Sequence, residues 1–219
     1  MEPIERLLAC YTSAIHDVMV AEGLTNFVLP RTIQPLQASQ RIAGPIYTVS
    51  GKRDDRMDPH ETLLAWTKLL GDVPPGHVLV CQPNDDELAF MGELSAEVLQ
   101  QRGLIGYVTD GGCRDVEIIK KSSFPVYCRY HTPTDIVGKW IPQELGGPIR
   151  IGHVDITTGD FLLADADGIV VLPSQHLTTV LEKTEVVINT ENQMRKAIRG
   201  GMKPQAAYLK YKKLYKPPH

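Results

Sequence analysis

Apolar residues recur along this chain at two periods, one helical and one of strands. In residues 4–22, Ile4, Leu7, Leu8, Tyr11, Ile15, Val18 and Met19 fall at three- and four-residue steps, which predicts one amphipathic helix stopped by Gly23. Residues 41–51 are short, β-branched and bounded by turns, a strand with a Gly-Pro start. A helix over 59–70 and a Pro-Pro-Gly turn at 74–76 lead into a buried strand over 77–81. A helix over 92–102 ends at Gly103, a strand covers 105–109, a short helix 116–121 and a strand 125–129. Strand and helix alternate through this stretch, which predicts a parallel α/β core with ligands at the carboxyl ends of its strands.

Beyond Pro133 the period changes. Residues 150–156, 161–164 and 169–172 read as short strands joined by Gly-Asp and Asp-Gly turns. A long helix over about 175–200 and a last one over about 204–215 follow. No repeat or linker interrupts the pattern, so one domain over 1–219 is expected, its core at about 10–190 and its helices at about 175–215 packed on that core or on a neighbouring subunit.

Composition narrows the function classes. With 42% hydrophobic and 22% charged residues and a net charge of −3, the 219-residue chain has the make-up of a folded globular protein rather than a disordered one. No run approaches the ~20 apolar residues of a membrane helix, and the mixed charges of the first residues do not suit a signal peptide. Cys10, Cys81, Cys113 and Cys128 form no CxxC pair, which suits reduced thiols in a cytoplasmic protein. From Asn192 onward there are eight basic residues and no acidic one, leaving about −11 on residues 1–191. Such a tail could meet nucleic acid, but its apolar residues favour a helix docked on an acidic protein surface, and no aromatic stacking platform accompanies it.

The chemistry concentrates in residues 91–115, MGELSAEVLQQRGLIGYVTDGGCRD. Gly92-Glu93-Leu94-Ser95 opens a helix, whose free N–H groups and dipole suit a carboxylate or phosphate. The strand at 105–109 ends in a glycine-rich turn carrying Arg114 and Asp115. An Arg beside an Asp there can clamp an anion and hold a hard cation. An ordinary turn, with Asp115 capping a helix and Arg114 on the surface, is the equal alternative from spacing alone. Asp110 suits an Asx turn.

Several motifs in order resemble one family. They are RIAGPIYTV at 41–49, PGHVLV at 75–80, Glu93 followed after twenty residues by Arg114-Asp115, GLIGYVTDGGCRD at 103–115, FPVY at 124–127 and GDFLLADADGIVVLP at 159–173. Over about residues 10–200 the chain resembles the 4-hydroxy-4-methyl-2-oxoglutarate aldolases and their relatives, the proteins similar to regulator of ribonuclease E activity A. The resemblance implies an α/β fold, a swivelling β/β/α-type sandwich with a C-terminal helical extension. It implies a divalent-metal-dependent lyase that cleaves a 4-hydroxy-2-oxo acid to pyruvate through an enolate, with oxaloacetate decarboxylation as a side activity. Asp115 would bind Mg²⁺ or Mn²⁺, Arg114 would contact the 2-oxo acid and stabilise the enolate, and Glu93 would orient metal-bound water. Relatives often carry Asp where this chain has Glu93. The backbone of Gly92, Glu93, Leu94 and Ser95 would hold the substrate carboxylate. Glu191 of a neighbouring subunit, with Glu185 as fallback, would complete the metal's outer shell, which implies a homotrimer or homohexamer.

Two rivals stand beside this reading. One is a non-catalytic regulator that binds a ribonuclease, although members of that branch lack the intact Arg-Asp pair and its acidic partner. The other is a different metal–enolate reaction on another 2-oxo or sugar acid. Of the remaining polar residues, His131 and His153 could face the site, and His60 suits a helix start. Trp140 suits packing, and Asp160, Asp165 and Asp167 suit turns. Cys113 could be a thiolate beside Arg114, but small filler is the simpler role.

Overall fold

A computed structural model describes residues 2–211. The expected first helix is two, α1 (Pro3–Ala9) and α2 (Thr12–Ala21), broken where Cys10 and Tyr11 take extended backbone. The break has a distant cause: the carboxylate of Asp165 accepts from the Thr12 N–H at 2.9 Å and from its hydroxyl at 2.7 Å, starting α2 afresh. Then come β1 (Gln34–Pro35), the twelve-residue β2 (Ile42–Arg53) and α3 (Pro59–Asp72), whose first turn is capped by Asp58. The alternating segment follows as β3 (Val78–Gln82), α4 (Glu93–Gln101), β4 (Gly106–Thr109), the short β5 (Gly112–Cys113), α5 (Val116–Ile119) and β6 (Val126–Cys128).

β7 (Tyr130–His131) and β8 (Trp140–Leu145) were not expected, since Pro142 and the polar residues beside it give no strand period. The strand expected over 150–156 is a hairpin, β9 (Ile149–Ile151) and β10 (Val154–Ile156), because Gly152 turns the chain at φ +61. β11 (Phe161–Asp165) and β12 (Gly168–Leu172) form the second hairpin. One 3-10 turn (Ser174–His176) leads into α6 (Leu177–Arg199), and α7 (Pro204–Tyr211) follows. The end expected for the last helix, at about 215, lies outside the described residues. No helix among the described residues is long and apolar enough to cross a membrane.

The main sheet runs β1-β6-β4-β3-β2-β11-β12, with β8 also paired to β2. Pairing is parallel from β2 through β3 and β4 to β6 and antiparallel at the other contacts. Strand alternation sends Val78, Val80, Val108, Leu162 and Val171 to one inner face, which the β9–β10 hairpin closes with Ile151 and Ile156. Leu79, Cys81, Tyr107 and Val126 face the other way and pack under α3 and α4, while Leu163, Val170 and Leu172 pack under α1, α2 and α6. The sheet is a curled half-barrel filled from inside and covered by helices outside, a mixed α/β fold with a C-terminal helix. The curl leaves the carboxyl ends of β3 and β4 open beside the start of α4, where the motif residues lie.

Candidate active site

α4 and the turn after β4 meet at one point. Gly92 precedes the first residue of α4 in extended backbone, and the Ala96 N–H is the first to bond within the helix, to the Gly92 carbonyl at 3.0 Å. The N–H groups of Leu94 and Ser95 therefore stand ahead of the helical ladder, available to an anion. Across from them, the Arg114 N–H donates to the Met91 carbonyl at 2.9 Å, pinning the turn to the segment that enters α4.

Asp115 sits in left-handed backbone, φ 57 and ψ 29, a conformation that costs a non-glycine residue roughly 1–2 kcal/mol. Its carboxylate makes no cap bond to α5; Oδ2 accepts instead from the Glu93 N–H at 3.1 Å. Asp115 thus stands at the N-cap of α5 by its backbone alone, and the left-handed conformation turns its side chain toward the start of α4. Arg114 reaches the same place: Nη1 lies 3.0 Å from Asp135 Oδ2, and Nε lies 3.6 Å from Asp115 Oδ2. Both Arg114 and Asp115 remain 38% exposed, so a ligand can reach them. Gly92 is required by this crowding, since a Cβ there would lie 2.9 Å from Asp115 Oδ2 and 3.1 Å from Arg114 Nε.

Gly92, Glu93, Leu94, Ser95, Arg114 and Asp115 all line one cleft of about 280 Å³. Ser95 also accepts from Trp66 Nε1 at 2.9 Å. Asp135, which closes the cleft beside Arg114, carried no sequence signal; it lies in the loop between β7 and β8 and is aligned by a parallel bridge to Ala89. Glu191 and Glu185 lie elsewhere on this chain. Both are on α6, where Glu191 accepts from the Tyr11 hydroxyl and Glu185 pairs with Arg6 at 2.7 Å, and neither lines the cleft. The Arg6 guanidinium holds the Glu185 carboxyl below the usual carboxylate range.

The other polar residues separate cleanly. His131 is exposed and, with Arg114 and Asp115, lines a second hollow on the far side of the pair. His153 is exposed at the tip of the β9–β10 turn, and His60 sits in the first turn of α3. Trp140 is buried, donates to the Pro83 carbonyl at 2.8 Å and packs against Trp66 and Phe90. Asp160 accepts from the Thr157 and Ser174 N–H groups, and Asp165 from Asp167. Asp110 does not make the expected Asx turn: Thr109 Oγ1 accepts from the Gly111 N–H, and Asp110 faces Arg129 at 3.6 Å. Burial raises the Asp110 carboxyl above its usual range, against the pull of Arg129. Cys113 is buried filler, its thiol raised by hydrogen bonding to Cys128 and by burial.

Among the described residues no three His, Cys, Asp or Glu side chains converge as a ready-made metal cage. The exposed Asp115 carboxylate, in a cleft that Glu93 and Asp135 also line, still suits Mg²⁺ or Mn²⁺. Small hard cations take one or two carboxylates and fill their other positions with water and substrate oxygens.

The chain is similar to known proteins in sequence and in fold. A Halalkalibacterium halodurans protein, provisionally named as a 4-hydroxy-4-methyl-2-oxoglutarate aldolase, is 31% identical over 199 residues, covering 90% of this chain and 89% of its own. The 4-hydroxy-4-methyl-2-oxoglutarate aldolase of Thermus thermophilus is 26% identical over 146 residues, covering 66% of this chain and 84% of its own. The crystal structure of Streptomyces coelicolor RraAS2, described as an unusual member of the RNase ES inhibitor RraA protein family, superposes with a TM-score of 0.77 at 22% identity, over 91% of this chain and 97% of its own, a likeness of fold. The model of the RraA-like family, Aldolase/RraA, matches residues 12–171, and with the turn, the helix start and the curled sheet all in place the chain belongs to that family.

Proposed function

We propose that this protein is a divalent-metal-dependent carbon–carbon lyase that cleaves a 4-hydroxy-2-oxo acid, such as 4-hydroxy-4-methyl-2-oxoglutarate, to release pyruvate, with oxaloacetate decarboxylation as a side activity. The observation that carries this reading is the meeting of Arg114, Asp115 and the start of α4 in one open cleft. Asp115 would hold Mg²⁺ or Mn²⁺, with Glu93 reaching its water shell. When bound, that ion supplies a Lewis acid for the 2-oxo group.

The N–H groups of Leu94 and Ser95 bind the 1-carboxylate, which fixes the reacting carbons beside Arg114. A water or a carboxylate such as Glu93 takes the proton of the C4 hydroxyl. The C3–C4 bond breaks, C4 leaves as a carbonyl, and the electron pair passes to the enolate of pyruvate. The Arg114 guanidinium, steadied by Asp135, faces the developing oxygen charge. Protonation at C3 completes pyruvate. Oxaloacetate needs the same enolate and no base at C4. In this reading the protein acts as a homotrimer or homohexamer, with a neighbouring subunit's Glu191 in the outer shell of the metal.

The test is pyruvate release coupled to lactate dehydrogenase, from 4-hydroxy-4-methyl-2-oxoglutarate and from oxaloacetate, with Mg²⁺, with Mn²⁺ and with chelator. Metal-dependent turnover that falls by about 10²–10³ in Arg114→Ala is the expected result. No turnover with either compound, together with no heat of Mg²⁺ or Mn²⁺ binding by calorimetry, would favour the protein-binding regulator instead.

A further inference from the structure

Arg114 and Asp115 have two open sides. One faces the cleft at the start of α4. The other faces a hollow of about 320 Å³, where Val116, His131, Thr132 and Pro133 join the pair. The strand that carries His131 is fixed beside the motif turn. β7 runs parallel to β5, with His131 opposite Cys113, the residue before Arg114. Neighbouring strands lie about 4.8 Å apart, and the Thr132 N–H sets the register on the Cys113 carbonyl at 3.1 Å. The Tyr130 hydroxyl holds the same strand on the Leu88 carbonyl, also at 3.1 Å. The His131 side chain itself is exposed and has no hydrogen bond or ion pair among the described residues. Other polar groups of the hollow are already engaged. Thr132 Oγ1 donates to Thr134 Oγ1 at 3.1 Å and accepts from the Thr134 N–H at 3.3 Å, and the Cys113 thiol donates to the Arg114 carbonyl at 3.3 Å. Arg114 and His131 are therefore the side chains that can donate to a ligand here.

The hollow lies on the opposite side of the pair from the Leu94 and Ser95 N–H groups. A substrate anchored there by its 1-carboxylate, with its 2-oxo group at Arg114, extends its remaining carbons toward His131. Both compounds proposed above end in a second carboxylate, which needs a donor when it leaves water. The imidazole N–H of His131 supplies one from this chain, whatever a neighbouring subunit adds to the rim. Asp115 places a negative charge in the same wall, but the divalent cation it would hold reverses the local sign. We propose that His131 binds the second carboxylate of the substrate in this hollow and so selects dicarboxylic 2-oxo acids over their monocarboxylic analogues. The inference rests on the 2-oxo acid reading above and names a specificity-determining residue within it.

The test is calorimetric titration of the full chain, in Mg²⁺, with 2-oxoglutarate and 2-oxopentanoate. The two share a five-carbon chain, differ in the second carboxylate, and lack the 4-hydroxyl, so they persist unchanged. 2-Oxoglutarate should bind about tenfold more tightly, the share of one hydrogen bond to a charged group. His131→Ala should abolish that advantage by weakening 2-oxoglutarate about tenfold while 2-oxopentanoate stays within about twofold. His131→Gln, which keeps an N–H donor, should restore part of the advantage, and His131→Glu should reverse it by like-charge repulsion. His131 is exposed, so these variants leave the core intact. Equal binding of the two ligands by the native chain, or equal weakening of both in His131→Ala, overturns the inference. Pyruvate release from 4-hydroxy-4-methyl-2-oxoglutarate alongside either result leaves the lyase standing. Selective loss of 2-oxoglutarate without pyruvate release from any substrate does the reverse, and no binding of either 2-oxo acid sinks both.

Discussion

Asp115 Oδ2 accepts a hydrogen bond from the backbone N–H of Glu93 at 3.1 Å, joining the two acidic positions of the motif across 22 residues of sequence. The bond is possible because Asp115 takes left-handed backbone and because Gly92 lacks a side chain. The start of α4 and the turn after β4 thereby become one structural unit.

Gly92→Ala tests that unit. The new Cβ would meet Asp115 Oδ2 at 2.9 Å and Arg114 Nε at 3.1 Å, so both side chains must shift. Since displacements of about 1 Å can cost about 10²-fold in rate, kcat/KM for pyruvate release should fall by that order while circular dichroism stays unchanged. Full activity in this variant would mean that the pair need not lie where it does.

In the proposed reaction Asp135 would act through Arg114, with which it pairs, as a positioning residue. In Asp135→Asn the 3.0 Å ion pair is lost, and kcat should fall about tenfold, as for a displaced charge contact. Stability should change by less than about 1 kcal/mol, because the two side chains are 38% and 36% exposed. Asp135→Glu should recover part of kcat. A Tm drop with unchanged kcat would assign Asp135 a purely structural role.

The link from Asp165 to Thr12 predicts a stability effect remote from the cleft. Asp165→Ala removes both bonds that begin α2 and should cost about 1 kcal/mol, a Tm decrease of roughly 2–4 °C in a chain of this size. Asp165→Asn, which keeps an acceptor, should cost less. Equal losses in the two variants would show that the charge rather than the cap matters.

The cysteines predict alkaline behaviour. All four are buried free thiols, and burial pushes Cys10 up to about 11 and Cys81 up to about 12. In the unfolded chain thiols ionise first, near ~8.5, so above that pH the unfolded state holds fewer protons than the native state and stability falls as pH rises. Calorimetric Tm should decline from about pH 9 upward, and Cys81→Ala should flatten the slope. Native protein should resist a thiol-labelling reagent at pH 7 and react fully once unfolded. Rapid labelling of native protein would contradict the burial.

Part of this molecule is determined by sequence alone. The strands Val78–Gln82 and Gly106–Thr109 and the helix between them are legible because a sheet buried on both faces needs continuous apolar runs and a helix needs its three-to-four spacing. The Arg114-Asp115 turn is legible because its glycines mark a strand end. Tertiary structure decided what depends on partners distant in sequence. The helical period runs through Cys10 and Tyr11, and only a carboxylate 153 residues away breaks it. Trp140–Leu145 becomes a strand because β2 offers it an edge, and Trp140 fits over Gly51, which has no Cβ to collide with the ring. Asp135 joins the cleft only because its loop is drawn alongside Ala89. Local periodicity encodes what each segment buries; which groups then meet across the fold is set by the path of the whole chain.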